Sequence, residues 1–313
     1  MANCTEDYKI NLKKSFFDVA TPIIILAGLM IQSFIVAVNV MQWMKGRSIT
    51  SADKIITSIG ISRMFFHTAF LLIDVPICQL PKFSQICSTV ILFITHSSSS
   101  SSMYLSVLLS FFFYFKISTF HNVFLCLKAI ILRRVVYLII ASVLLSLVYS
   151  SMFICINSFT LVTNPTQHNI SDYGQENILS YYNILWNTPP LFLVFIASAL
   201  LIILLGFHIR KMNKHGNVRN NTDTYQRTMR FTVASWLSWS LYILVYLAKA
   251  CFHLLEDKTE FIFIINIFPS LLSICLIYAA TKLRNQFFRF FHCGTLFLPK
   301  RKTSKPKSKE LVD

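Results

Sequence analysis

"LSFFFYFKISTFHNVFLCLKAII", residues 109–131, drives a run of Phe and Tyr into Lys116 and meets a second lysine at Lys128. Aromatic surface beside positive charge suits three settings: a nucleic-acid face, a membrane border, or the solvated edge of a core helix. Composition chooses among them. Of 313 residues, 55% are hydrophobic and only 13% are charged, where a soluble domain carries about 25% charged residues. The net charge of +16 would fit nucleic acid if the basic residues shared one folded aqueous face. They sit instead in short clusters between long apolar runs. Nucleic acid is therefore not an expected partner, and a bilayer is.

Seven apolar runs, at 16–43, 55–77, 88–115, 135–159, 188–208, 231–252 and 261–280, reach or approach the ~20 residues that cross a bilayer as helix. Gly is rare, at 7 residues, and none of the runs shows the alternation of a membrane barrel strand. The expected fold is an all-α membrane protein, a seven-transmembrane helix bundle of the G-protein-coupled receptor type. Residues 1–15 would form a short extracellular N-terminus, 16–284 the bundle, and 285–313 a cytoplasmic amphipathic segment and basic tail. The first run lacks a cleavage site and reads as a retained span.

Basic residues set the orientation. Lys45, Arg47 and Lys54 fill the first linker, Lys116, Lys128, Arg133 and Arg134 the third, Arg210, Lys211, Lys214, Arg219, Arg227 and Arg230 the fifth, and the tail is denser still. The opposite linkers carry few. The N-terminus is expected outside and the C-terminus inside, in a multi-pass protein of the plasma membrane. Glycosylation sequons at Asn169 and Asn3 fall on the outer side; a third, at Asn220, falls inside. The eight cysteines show no CxxC or metal spacing. Cys78 and Cys87 bracket an outer linker and either pair or stay thiols. Cys293 follows "NQFFRFFHC" (285–293), whose phenylalanines suit a helix lying on the inner leaflet, where it is either lipidated or free.

A charge inside a span is costly and marks function by default. Arg63 lies near the middle of the second run, level with Gln32, Asn39 and Ser273, and an interhelical clasp of Gln32, Arg63 and Ser273 is expected, structural and rearranging on activation. Asp74 lies three turns further out; it either balances Lys249 or meets a ligand. The third run holds "THSSSSSSMYLSVLLS" (95–110). Its serines permit close helix approach, and Thr95 and Ser99, the outermost of one stripe, are candidate ligand-wall residues. Tyr242 and Tyr246 share a face of the sixth run, and Asn266 is the outer polar residue of the seventh. The histidines form no HxxH or HxxxH pair, and GxSxG, HExxH and P-loop patterns are absent. No enzyme activity, metal or cofactor is expected.

Residues 109–128, with leucine-serine, aromatics, lysine-isoleucine and a closing leucine-lysine, resemble the end of the third span in the bitter taste receptors, the type 2 taste receptor family. "FIVAVNVMQW" (34–43), "DKIITSIGISR" (53–63), "LIILLGFHIRKM" (201–212) and "LSICLIYAATKLR" (272–284) resemble that family at the corresponding ends of spans one, two, five and seven. The chain departs from the family's pattern at Gln32, Thr95, Ser99, Tyr104, Leu272 and Ala280.

The resemblance implies a receptor for small organic bitter agonists. Its pocket would lie in the outer half of the bundle, lined by Asp74, Thr95, Ser99, Tyr242, Tyr246 and Asn266. It also implies a heterotrimeric G protein, gustducin-like and of the inhibitory class, contacting Phe113, Tyr114, Lys116, His208 and Arg230. Lys116 and Lys128 then mark the inner membrane border, with their stems along apolar surface and their ammonium groups at the lipid phosphates. Two rival readings are a vomeronasal type 1-like pheromone receptor and a membrane transporter; the short tail and the lysine-isoleucine sequence oppose the first. The absence of matching half-repeats opposes the second.

Overall fold

The structure is a computed structural model that describes residues 2–46, 49–73, 84–117, 133–163, 188–189, 192–207, 210, 219–252 and 258–295. Its helices are α1 (Ala2–Met44), α2 (Ser51–Ile73), α3 (Ser84–Ile117), α4 (Val135–Thr163), α5 (Phe192–Phe207), α6 (Arg219–Phe252), α7 (Lys258–Ala279) and α8 (Thr281–Thr295). Among the described residues there is no strand. By length and composition, Ser15–Met44, Ser51–Leu72, Val135–Ile156 and Glu260–Ala279 can each cross a membrane, with shorter apolar helices at Phe192–Phe207 and Thr232–Val245.

Several helices outrun the apolar runs that announce them. α6 begins at Arg219, although its apolar run begins near 231. A bilayer demands apolar side chains only across its core, whereas the backbone gains a hydrogen bond per residue wherever the helix continues. Polar residues flanking a span therefore extend it.

At the α1–α2 turn, Gly46 takes φ 69°, a left-handed conformation that glycine adopts without steric penalty. A reciprocal cap opens α2: the Asp53 amide donates to Thr50 Oγ1 at 3.2 Å, and the Thr50 amide donates to Asp53 Oδ2 at 3.3 Å. Lys282 of α8 reaches the same carboxylate oxygen at 2.8 Å. Phe287 of α8 meets Phe34 of α1 edge to face, 5.5 Å between centroids. One aspartate thus caps a span and ties down α8.

Two apolar clusters fill the bundle. The inner one, at the end carrying the α1–α2 turn and α8, includes Ile35, Ile55, Ile59, Leu105, Leu109, Phe112, Leu276 and Leu283. The outer one includes Ile25, Phe66, Met103, Val194, Trp239, Tyr242, Ile265 and Leu272. Outward faces are also apolar, as with Tyr137, Leu144 and Val148 on α4 and Phe192, Ile203 and Phe207 on α5. In water such faces would be a liability; a lipid-facing helix requires them.

Small residues allow close approach where polar groups cross the bundle. A Cβ added at Gly28 of α1 would lie 2.7 Å from His67 Nε2 of α2 and 2.5 Å from Ser270 Oγ of α7. One added at Gly60 of α2 would meet Val36 of α1 at 2.9 Å. The serines of α3 serve the same end against α2: Ser100, Ser101 and Ser102 are buried, and Ser62 Oγ donates to Ser101 Oγ at 3.3 Å.

Candidate functional site

Between these clusters lies a polar layer centred on Arg63, which is 5% exposed. Its Nε donates to Ser102 Oγ of α3 at 3.1 Å. Its Nη1 donates to Ser273 Oγ at 2.7 Å and to the Pro269 carbonyl at 3.3 Å, both on α7. Gln32 of α1 donates its Nε2 to the same Ser273 hydroxyl, which in turn donates to the Pro269 carbonyl at 2.8 Å. The structure thus brings Gln32, Arg63 and Ser273 together, and adds Ser102 and Pro269. Three helices meet on one guanidinium, whose planar fork can engage several acceptors at once, and Gln32 ties in a fourth through Ser273.

Asn39 is level with Arg63 in sequence-derived depth but joins a different contact, donating Nδ2 to Thr57 Oγ1 at 3.0 Å. Depth along a helix does not fix direction around it. One turn outward from Arg63, His67 and Asn266 are both fully buried, with His67 Nδ1 2.9 Å from Asn266 Oδ1. Asn266 Nδ2 donates to the Ile262 carbonyl at 2.8 Å. His67 carries no metal-ligand spacing and was silent in the sequence; its partner sits 199 residues away.

Above the guanidinium opens a small cavity, lined by Arg63, Phe66, Ser98, Ser99, Ser102, Ser238, Trp239, Tyr242, Phe268, Pro269 and Leu272. Its walls are chiefly aromatic and apolar with a few polar groups, the composition such sites share. Ser99 Oγ lies 3.4 Å from Tyr242 OH across the α3–α6 seam. Tyr242 stands edge to face with Trp239 at 5.5 Å and with Phe268 at 6.4 Å. α6 contributes Ser235, Ser238, Trp239 and Tyr242 to the interior at helical spacing. Trp239 and Ser238 were not singled out from sequence; the signal available was their place one turn before Tyr242.

The remaining candidates are placed as follows. Thr95 is half-buried, donates to the Ile91 carbonyl at 2.8 Å and lies one turn beyond Ser99, outside the cavity lining. Asn266 is likewise outside that lining. Tyr246 lies on α6 and Cys293 on α8, and Asn3 lies on α1. Asp74, Asn169 and His208 are outside the described residues. Phe113 and Tyr114 are half-buried near the inner end of α3, where Lys116 is exposed; Arg230 is exposed on α6. Cys87 is disulfide-bonded, while Cys78 is outside the described residues. Among the described residues, no three His, Cys, Asp or Glu side chains gather as a metal site.

The family model described as "Taste receptor protein (TAS2R)" matches residues 11–295. Taste receptor type 2 member 3 of Pongo pygmaeus is 27% identical over 286 residues, covering 85% of this chain and 90% of that relative. Taste receptor type 2 member 109 of Mus musculus is 28% identical over 307 residues, covering 88% and 94%. Taste receptor type 2 member 4 of Papio hamadryas is 32% identical over 216 residues, covering 66% and 71%.

Proposed function

The chain belongs to the taste receptor type 2 family, and from that premise we propose that it is a bitter receptor whose agonists are small organic molecules held between α2, α3, α6 and α7. As a family member it is a seven-helix membrane receptor that signals through a G protein. The finer reading is that the G protein is gustducin-like, of the inhibitory class, and that the receptor works at the plasma membrane with lipid contacts at its lysine border.

One observation carries the ligand reading: the cavity over Arg63, with aromatic walls and hydroxyls supplied by α3 and α6. Agonist wedged between Trp239, Tyr242 and Phe268 would bear on α6 and α7 together, and a ligand shifts an equilibrium only by its differential affinity for the two states. Arg63 and Ser273 sit directly beneath, so a shift of α7 must change the hydrogen bonds that Pro269 and Ser273 accept. Asp74, Thr95, Tyr246 and Asn266 would then form the outer approach to the cavity, with Ser99 and Tyr242 in its wall. Phe113, Tyr114, Lys116, His208 and Arg230 would meet the G protein at the inner face. The cluster of Gln32, Arg63 and Ser273 would be the part that rearranges.

The test is calcium release in cells co-expressing this chain and a gustducin-type chimeric G protein, challenged with chemically diverse bitter compounds. A dose-dependent response that vanishes without the G protein is expected. Surface-expressed receptor that stays silent to the whole panel would contradict the reading.

A further inference from the structure

We propose that the cavity over Arg63 is an anion site, taking one singly charged anionic group, either a halide from solution or the carboxylate of an organic ligand. The proposal deepens the reading of this cavity as the agonist pocket, and rests on that reading for the organic source alone.

The first observation is an uncompensated charge. A guanidinium at the middle of a membrane span is costly unless paired or hydrated. Arg63 is surrounded by hydroxyls and one backbone carbonyl, with no carboxylate within ion-pair distance among the described residues. Hydroxyls and carbonyls satisfy N–H donors, but they bring no countercharge.

The second observation is a set of donors left unspent in residues that line the same cavity. Arg63 Nη2 makes no hydrogen bond among the described residues. Among the described residues, Ser238 Oγ and Trp239 Nε1 are buried and without a partner, in residues 9% and 6% exposed. Each buried polar group left unpaired costs about 1–3 kcal/mol. An indole N–H can only donate, and a guanidinium only donates. These groups share one requirement, an acceptor, and the positive charge selects a negative one.

The third observation excludes the opposite sign. Among the described residues no Asp or Glu lines the cavity, so a cation would face Arg63 with nothing to hold it. Neutral water would satisfy the donors, yet leave the charge uncompensated. The aromatic walls of Phe66, Trp239, Tyr242 and Phe268 suit the apolar body of an organic acid, with its carboxylate directed at Arg63.

The test uses the purified full chain in nanodiscs of zwitterionic lipid and follows thermal unfolding by tryptophan fluorescence. Chloride is compared at equal ionic strength with gluconate, a carboxylate whose hydroxylated chain is too large and polar for the aromatic walls, and benzoate with benzamide, each titrated in. A saturable rise in Tm with chloride, with benzoate, or with both is expected, and gluconate and benzamide should give none. Chloride alone would identify a solution halide, benzoate alone a ligand carboxylate, and both a shared site. Trp239→Phe, which removes one donor and keeps the ring volume nearly constant, should raise the midpoint anion concentration about fivefold. Ser238→Ala should act in the same direction, and Arg63→Gln should abolish the effect. If Arg63→Gln does not fold, the two milder variants carry the test. Equal Tm in all four solutes would overturn the proposal, as would an anion effect unchanged in both Trp239→Phe and Ser238→Ala. The readout involves no signalling, so its failure is separable from failure of the receptor reading.

Discussion

Arg63 of α2 and Ser273 of α7 are joined by a 2.7 Å hydrogen bond, and the same serine hydroxyl accepts from Gln32 of α1. One small side chain therefore holds three helices at the level where the bundle is most polar. Ser273→Ala should leave Arg63 Nη1 with the Pro269 carbonyl alone and Gln32 Nε2 with no acceptor. A loss of about 1–3 kcal/mol is expected for such orphaned buried groups, read as a lower Tm and lower surface expression. Arg63→Ala should cost more, since Ser102 loses its donor as well. Normal surface level and a full agonist response in Arg63→Ala would show that the cluster holds nothing.

Gly28 tests how tightly α1 seats on the α2–α7 pair. Gly28→Ala places a methyl group 2.5 Å from Ser270 Oγ and 2.7 Å from His67 Nε2, and the helices must part. Such overfilling costs about 1–3 kcal/mol. Gly206→Ala is the control: nothing lies within 4 Å of its added Cβ, and helix propensity should give a gain of up to about 0.5 kcal/mol. Comparing the two Tm shifts checks the geometry, and equal shifts would contradict it.

Asp53 does two jobs and Lys282 one. Lys282→Ala removes a partly exposed ion pair worth up to about 1 kcal/mol. Asp53→Ala removes that pair and also its half of the α2 capping box, the bond accepted from the Thr50 amide, for about 0.5–1.5 kcal/mol more. Asp53→Ala should therefore lower Tm further than Lys282→Ala in the same membrane mimetic. In the Lys282→Ala background the Asp53 effect should shrink by the ion-pair share and keep the cap share.

The cavity wall is tested by Tyr242→Phe, which removes the hydroxyl facing Ser99 at 3.4 Å and keeps the ring contacts with Trp239 and Phe268. Agonists with a polar group near that seam should lose about fivefold in potency, and purely apolar ones should change little. A uniform change across all active compounds would point to a general folding effect. Thr95→Trp is the companion outer variant: as a residue of the outer approach, it should alter the agonist profile while sparing surface expression.

The spans were legible because a bilayer filters composition so strongly that apolar runs announce themselves. Their ends were less so: the polar first turns of α6 from Arg219 and the early start of α3 at Ser84 carry no hydropathy signal. Depth was readable too, which is why Gln32, Arg63 and Ser273 could be grouped from numbering alone. Azimuth was not. Asn39 has the right depth and turns to Thr57 instead.

The six serines of α3 illustrate the same gap. Sequence placed them on every face, while the structure gives Ser102 to Arg63, Ser101 to Ser62 and Ser99 to Tyr242. Trp239 and Ser238 escaped notice because a tryptophan and a serine in an apolar run look like ordinary bundle residues. Their meaning lies in polar atoms without partners among the described residues, on side chains that line the cavity over a buried cation, which only the packed structure reveals.

The most direct test of the account is nucleotide exchange on a purified gustducin-type G protein by this chain alone, reconstituted in nanodiscs and titrated with an agonist found in cells. Agonist-dependent acceleration of GTP-analogue binding, right-shifted by Tyr242→Phe for an agonist with a polar group at the Ser99 seam and weakened by Ser273→Ala, is the predicted result. Exchange that stays at its basal rate at saturating agonist, with the receptor folded and oriented in the disc, would contradict the claim that ligand in the cavity over Arg63 is converted into G-protein activation.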